Sequence, residues 1–166
     1  TAINLSSSQV AENLPAGTVI GSLSAVDQDA GDTHTFALVA GDGDADNAHF
    51  EIDGNELKTA AVFNFEDTPT LSIRLQALDS QGGSYEQVFT ITVTDVNDAP
   101  TGFTISSSRV AENMPAGTLV GVLTALDEDQ VDTHTFELVS GEGDTHNGRF
   151  AIQDDQLVTT AAFDYE

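Results

Sequence analysis

Residues 71–78 read LSIRLQAL, so apolar and polar side chains alternate along this stretch. Successive side chains of a β-strand point to opposite faces of a sheet, which places the four apolar odd-numbered residues on one face. Residues 87–96 follow the turn glycines Gly82 and Gly83 and show the same alternation, with the odd-numbered residues 89–93 inward. This period of two predicts two neighbouring strands that each bury one face.

The rest of the first hundred residues has the same character. Short runs rich in Val, Ile, Thr and Phe are separated by Gly, Asn, Asp and Pro, and helical periodicity is absent. Seven such strands in about 100 residues are typical of an all-β, immunoglobulin-like Greek-key sandwich. The first strand is predicted to be broken by a serine run. The predicted strands are 1–5 with 9–11, 18–25, 33–39, 50–52, 56–59, 71–78 and 87–96.

The sequence then starts over. The segment Asp32–Phe36, DTHTF, returns at 132–136, and the offset is 100 residues along the whole second copy. Of the 66 pairs that can be aligned, 35 are identical. An internal repeat of this length indicates two similar domains, which we place at 1–98 and 99–166.

The second copy contains counterparts of the first five predicted strands and ends at Glu166. We therefore predict a second sandwich truncated after its fifth strand, in a natural protein that continues further. Counterparts of 71–78 and 87–96 are missing, so open sheet edges would face water. Open edges favour pairing with another chain, which makes strand exchange by the truncated repeat an expected interaction.

The charge balance narrows the choice of partners. The chain has 28 acidic residues against four basic ones, for a formal net charge of -24. Nucleic-acid binding needs a basic surface, so nucleic acid is excluded as a partner. No apolar run approaches the length of a membrane span, so direct membrane insertion is not predicted. The sequence has no cysteine, which excludes disulfides and thiolate metal sites.

The acidic residues lie in spaced clusters at predicted strand ends. Alternate loops of a sandwich lie at opposite ends, so Glu12, Glu66 and the linker Asp95–Pro100 can gather at one end of the first domain. Asp127 and Asp129 can face them from the second domain. Calcium takes about six to eight oxygen ligands, whereas zinc prefers His or Cys. The junction therefore predicts a calcium site formed by Glu12, Glu66, Asn97, Asp98, Asp127, Asp129 and linker carbonyls.

The motifs at these positions resemble those of tandem cadherin repeats, in the form found in large bacterial surface and secreted adhesins. The family's first-strand glutamate motif corresponds to Ala11-Glu12-Asn13, and its Asp-x-Asp motif to 27–29 and 127–129. Its Asp-Arg-Glu motif corresponds to 64–66 and 164–166. Its Ala-x-Asp motif corresponds to 77–79, and its Asp-x-Asn-Asp linker to 95–98.

The resemblance implies that calcium at the junction stiffens successive domains into a rod. It implies seven side-chain ligands there, joined by the Val96 carbonyl: Glu12, Asn64, Glu66, Asn97, Asp98, Asp127 and Asp129. It also implies two half-sites. One faces a preceding repeat (Asp27, Asp29 and Asp79), and the other faces a following repeat (Glu112, Asp164 and Glu166).

Two other groups of residues invite a chemical interpretation. The loop 42–47, DGDADN, has the alternating Asp and Gly of some calcium loops, but a strand-connecting turn is the favoured interpretation. His34 and His134 lie in the repeated segment and could be imagined in a hydrolytic triad. A histidine hydrogen bond at a strand end is favoured instead, because no nucleophile elbow or phosphate loop is present.

The sequence thus predicts a calcium-binding structural or adhesive repeat of a secreted or cell-surface bacterial protein, and not an enzyme. The expected partners are calcium and neighbouring repeats of the same protein, with a homophilic or carbohydrate ligand as a further partner. The alternative is a carbohydrate-binding or accessory module of a secreted polysaccharide-active protein.

Overall fold

The computed structural model describes residues 2–27 and 32–166. The chain divides into two compact units, Thr1–Val96 and Asn97–Glu166, which are described separately below. The repeat boundaries 1–98 and 99–166 stay a prediction. Both units are built of β-strands with one short 3-10 turn each, Asn47–His49 and Asp144–Arg149, so the all-β fold class is confirmed.

The first unit is a sandwich of two four-stranded sheets. One sheet has the order β1-β3-β6-β5 and the other the order β2-β8-β7-β4. Neighbouring strands are antiparallel, except that β2 runs parallel to β8. The strands are β1 (Ala2–Leu5), β2 (Gln9–Ala11), β3 (Val19–Val26), β4 (His34–Leu38), β5 (Phe50–Asp53), β6 (Glu56–Thr59), β7 (Thr70–Asp79) and β8 (Ser84–Thr94).

The core of this unit lies between the two sheets. Strand β7 contributes the four alternating apolar residues that its sequence pattern placed on one face, and Ile73 and Leu75 are fully buried. Ile91 and Val93 of β8 pack in the same cluster as Leu57 of β6, from the opposite sheet. The alternation read from the sequence therefore identifies the buried face of the central strands.

The first predicted strand is divided between the two sheets. Strand β1 pairs with β3, and β2 pairs with β8 after the chain has crossed at Ser6–Ser8. The crossing chain passes directly over Gly21, where an added Cβ would lie 2.7 Å from the Ser7 carbonyl oxygen. Gly121 lies under the corresponding backbone of the second unit, so glycine is required twice for the same close approach.

The second unit has a single four-stranded sheet of order β11-β12-β10-β9. Its pairings reproduce those of the first unit at an offset of 100, as in Leu123 opposite Ile105 and Leu23 opposite Leu5. Val120, Leu123 and Val158 are buried. The strands are β9 (Gly102–Ile105), β10 (Leu119–Leu126), β11 (Phe150–Gln153) and β12 (Gln156–Thr159).

The second unit differs from the prediction in two segments. Residues 133–139 were predicted as the counterpart of the third strand, but the structure gives them no strand, and residues 109–111 form none either. In the first unit these strands pair with β7 and β8, which have no counterpart in the 166 residues. Without a partner backbone, a strand cannot form its ladder of hydrogen bonds. The burial changes accordingly, because Ile3 is 2% exposed and Phe103, at the same repeat position, is 64% exposed.

A search of the described residues for a long apolar helix that could cross a membrane finds none.

Candidate functional site

Glu12 is a buried carboxylate at the end of the first unit. It follows β2 and is 2% exposed. Its Oε2 accepts a hydrogen bond from the Phe65 N–H at 2.7 Å, and its Oε1 accepts one from the Val96 N–H at 2.7 Å. Its own N–H donates to the Thr94 carbonyl at 3.1 Å. Glu12 therefore holds together the end of β2, the segment after β6 and the segment after β8.

These backbone donors set the charge state of Glu12. The hydrogen bond from Phe65 lowers the pKa of the Glu12 carboxyl the most, the bond from Val96 lowers it next, and burial opposes both. A smaller contribution from the side chain of Glu66 also lowers the pKa. Donors aimed at a carboxylate stabilise the ionised form. Glu12 therefore carries a negative charge at neutral pH despite its burial.

Two further acidic residues of the first unit, Glu66 and Asp95, lie in this region. Glu66 is close to Glu12, and Asp95 is close to Glu66. Glu66 offers a carboxylate oxygen within 4.8 Å of one from Glu12, and one within 4.8 Å of Asp95. Ionised carboxylates at such distances repel each other, and a divalent cation removes that repulsion. The Asn64 side chain has a hydrogen-bond partner close in sequence, because its Oδ1 accepts the Asp67 N–H at 2.9 Å.

The beginning of the second unit gathers a separate set of acidic residues. Asp129 is buried, and its Oδ2 accepts the Asp98 N–H at 2.6 Å. The Asp129 N–H in turn donates to Oδ1 of Asp127 at 3.2 Å. Asn97 turns its amide nitrogen to the Asp98 carbonyl at 2.6 Å. Asp129 of the Asp-x-Asp motif and Asp98 of the linker motif are therefore in hydrogen-bond contact, while their role as calcium ligands stays a prediction.

Asp127 has a second partner that the sequence did not predict. Its Oδ2 lies 2.7 Å from Nε2 of His134, and this hydrogen bond is the largest cause of the lowered pKa of Asp127. The first unit repeats the pair, with Asp27 Oδ2 lying 3.3 Å from Nε2 of His34. The signal available in the sequence was an Asp and a His seven positions apart in both copies.

The residues of the two predicted half-sites have mainly local partners. Asp79 accepts the N–H groups of Gln81 and Gly83, both at 2.8 Å, and so shapes the turn between β7 and β8. Glu112 accepts the Tyr165 N–H at 3.2 Å, and Asp164 accepts the Glu166 N–H at 3.2 Å. Asp29 lies outside the described residues. The role of these residues as ligands stays a prediction.

The loop 42–47 has a structural role. Asp46 Oδ2 accepts the Ser72 N–H at 2.7 Å, and Asn47 Oδ1 accepts the Arg74 N–H at 2.9 Å. Asp44 Oδ2 caps the turn by accepting the Gly41 N–H at 2.9 Å. Asp46 and Asn47 thus satisfy backbone donors of β7 and Asp44 closes the loop itself, so the interpretation as a strand-connecting turn accounts for their positions.

The two sets of acidic residues suit a hard cation. Glu12, Glu66 and Asp95 in the first unit, and Asp98, Asp127 and Asp129 in the second, offer carboxylate oxygens. Oxygen donors with several negative charges match calcium, whereas zinc sites use His or Cys. The N–H groups of Phe65 and Val96 stabilise the negative charge of the buried Glu12 carboxylate.

Comparison with known proteins places these motifs in a family. A model of the cadherin domain matches residues 6–94. Human protocadherin beta-1 is 35% identical over 127 residues, which cover 73% of this chain and 15% of that protein. The chain therefore spans less than a sixth of the length of that curated relative.

Solved structures give the same result for the fold. The protocadherin gamma B7 extracellular cadherin domains 1–4 match with a TM-score of 0.60 and 27% identity, over 98% of this chain and 42% of that one. Human protocadherin-24 EC1-2 matches with a TM-score of 0.70 and 22% identity, over 98% of this chain and 80% of that one. Since the family model also matches more than half of its residues, the chain belongs to the cadherin domain family.

Proposed function

We propose that this chain is a pair of calcium-binding repeats from an extracellular protein, and that calcium bound between the repeats stiffens the protein for cell adhesion. The observation that carries the proposal is the buried, ionised Glu12, whose backbone donors include the last residue of its own unit. The ligands we assign are Glu12, Asn64, Glu66, Asn97, Asp98, Asp127, Asp129 and the Val96 carbonyl.

Covalent geometry supports a shared site. Glu12 accepts the Val96 N–H, and Asp129 accepts the Asp98 N–H. These two amides are two positions apart in the chain, which keeps them within about 7 Å of each other whatever the arrangement of the units. Each unit thus anchors one acidic side chain to the same short linker, and a single group of cations could serve both.

The proposed mechanism is electrostatic. Without calcium, acidic groups from both repeats repel each other and the linker is free to bend. With calcium, oxygens from both repeats bind the same ions, and the angle between the repeats is fixed. The cation supplies only charge neutralisation and coordination, while the backbone donors of Phe65, Val96 and Asp98 hold the carboxylates in place beforehand.

The proposal extends to location and partners. Relatives are described as extracellular cadherin domains, which supports a secreted or cell-surface location for this chain. Neighbouring repeats and a second copy of the protein are the partners we propose. A bacterial origin, a carbohydrate ligand, strand exchange and the alternative of an accessory module stay predictions, without an observation that favours them.

The test is unfolding of the 166-residue chain in EDTA, in millimolar calcium and in millimolar magnesium. We expect calcium to raise the transition temperature well above the EDTA value, because a ligand that binds only the ordered state stabilises it by mass action. Magnesium should have a smaller effect, since it demands tighter octahedral geometry. Asp98→Ala should remove most of the calcium-specific rise.

Asp155→Ala is the matched control, because it removes one carboxylate from an exposed turn between β11 and β12. It should keep the full calcium response. Small-angle scattering with and without calcium then reports stiffness directly. Equal responses to calcium and magnesium, or an Asp98→Ala variant that responds like the wild type, would refute the proposed site.

A further inference from the structure

Each unit contains a histidine–aspartate pair, and the proposed function gives its histidine no role. In the first unit, His34 Nε2 lies 3.3 Å from Asp27 Oδ2, and in the second, His134 Nε2 lies 2.7 Å from Asp127 Oδ2. Both pairs are largely shielded from solvent, with side-chain exposures between 5% and 23%. The recurrence at an offset of 100 residues makes the pair a built feature of the repeat.

The chemistry of the carboxylate determines which residue of the pair donates the hydrogen bond. An ionised carboxylate can only accept hydrogen bonds, so the proton must lie on Nε2 of His134. The other carboxylate oxygen, Oδ1, accepts the Asp129 N–H. Asp127 is therefore held at both oxygens, by a ring on one side and by the backbone of the next proposed ligand on the other. The Glu128 backbone also hydrogen-bonds to the Asp127 carboxylate.

The pair does not depend on strand pairing. His34 is the first residue of β4 and lies opposite Asp79 of β7, so its position could follow from the sheet alone. His134 has no such support, because residues 133–139 form no strand in the second unit. The hydrogen bond is nevertheless present there, and it is shorter. The hydrogen bond therefore does not require the strand pairing that accompanies it in the first unit.

We infer that His134 is a positioning residue for calcium: it holds the Asp127 carboxylate in the orientation that binds the ion, and His34 does the same for Asp27. The inference rests on the proposed function. Groups that hydrogen-bond to metal ligands orient them before the metal arrives, and their loss typically weakens metal binding by about 10- to 100-fold. Because the histidine binds no ion itself, its effect must act through Asp127.

The test compares three variants of the 166-residue chain by calcium titration calorimetry and by thermal unfolding in EDTA. His134→Leu removes the donor and keeps an apolar side chain. His134→Gln keeps a nitrogen donor at the same number of bonds from Cα as Nε2. His146→Leu is the matched control, since His146 is an exposed histidine of the same unit that belongs to no proposed calcium site.

We expect His134→Leu to raise the calcium dissociation constant about tenfold, and His134→Gln to recover most of the affinity. His146→Leu should leave the calcium dissociation constant unchanged. The EDTA transition temperature of His134→Leu shows any purely structural cost of losing the pair, and the recovery of affinity in His134→Gln cannot come from such a cost.

The two proposals fail in different ways. If the wild type binds no calcium, both are refuted. If the wild type binds calcium and Asp98→Ala weakens binding, but His134→Leu binds as tightly as the wild type, only the positioning role is refuted. The same holds if Leu and Gln at position 134 weaken binding equally, because the donor would then be irrelevant.

Discussion

Replacing Glu12 with Gln tests whether this carboxylate holds the end of the first unit together without any metal. The carboxylate accepts two backbone N–H groups, from Phe65 and Val96, both at 2.7 Å. An amide has only one oxygen, so one N–H loses its acceptor and faces an NH2 group instead. The remaining hydrogen bond also loses the charge that strengthens it.

The size of the effect follows from the burial of Glu12. Leaving a buried donor unpaired costs about 1–3 kcal/mol, and a hydrogen bond to a charged group exceeds a neutral one by about 1 kcal/mol. We therefore expect Glu12→Gln to reduce the free energy of unfolding of the first unit by about 2–4 kcal/mol in EDTA. Urea unfolding followed by circular dichroism measures this loss. Hydrogen exchange should also quicken at Phe65 and Val96 in the variant.

The second unit provides the matched control. Glu112 occupies the same repeat position, but it is exposed, and it accepts one weaker bond, from the Tyr165 N–H at 3.2 Å. Glu112→Gln should change stability by no more than about 0.5 kcal/mol. If the two substitutions cost the same, or if Glu12→Gln leaves stability and exchange unchanged, then Glu12 is not the structural anchor described above.

Three further predictions concern the first unit. The pKa of the Glu12 carboxyl is lowered, so the stability that this carboxylate contributes is complete above the ordinary pKa of 4.5 and is lost as the pH falls below that value. The free energy of unfolding should therefore fall less steeply with acid in Glu12→Gln than in the wild type. Gly21→Ala would place a Cβ 2.7 Å from a Ser7 backbone atom, so we expect a loss of about 1–3 kcal/mol in urea unfolding, and a neutral effect would contradict the close approach. Asp46→Ala removes the acceptor of the Ser72 N–H and should cost about 1 kcal/mol, while calorimetry should show calcium affinity unchanged; a weaker affinity would reinstate this loop as a metal site.

The sequence predicted the core strands well, because the signal there is a side-chain period that burial enforces directly. Strand β7 illustrates this, since its four alternating apolar residues are all buried. The segment 133–139 has the same pattern as β4 but forms no strand. A strand needs a partner for its backbone hydrogen bonds, and that requirement is carried by residues distant in sequence.

The membership of the candidate site stays a prediction, and the hydrogen bonds among its residues could not be predicted from the sequence. Residue type and spacing predicted acidic groups at the ends of the repeats. They could not show that the backbone of Phe65 and Val96 binds Glu12, because these bonds depend on how three distant segments meet. The hydrogen bond between His134 and Asp127 was not predicted for a similar reason. The sequence favoured a histidine hydrogen bond at a strand end, and only the structure identifies Asp127 as its partner.

The parallel pairing of β2 with β8 has a mechanical consequence. These strands lie next to the two ends of the first unit, and they run in the same direction. Tension applied to the two ends would pull them along their lengths in opposite senses, so the three paired positions between Gln9 and Ala11 would share the load at once. Hydrogen bonds loaded in shear yield together, whereas an antiparallel terminal pair would open one bond at a time. The division of the first strand at Ser6–Ser8 thus creates the parallel pair that would resist stretching of the repeat.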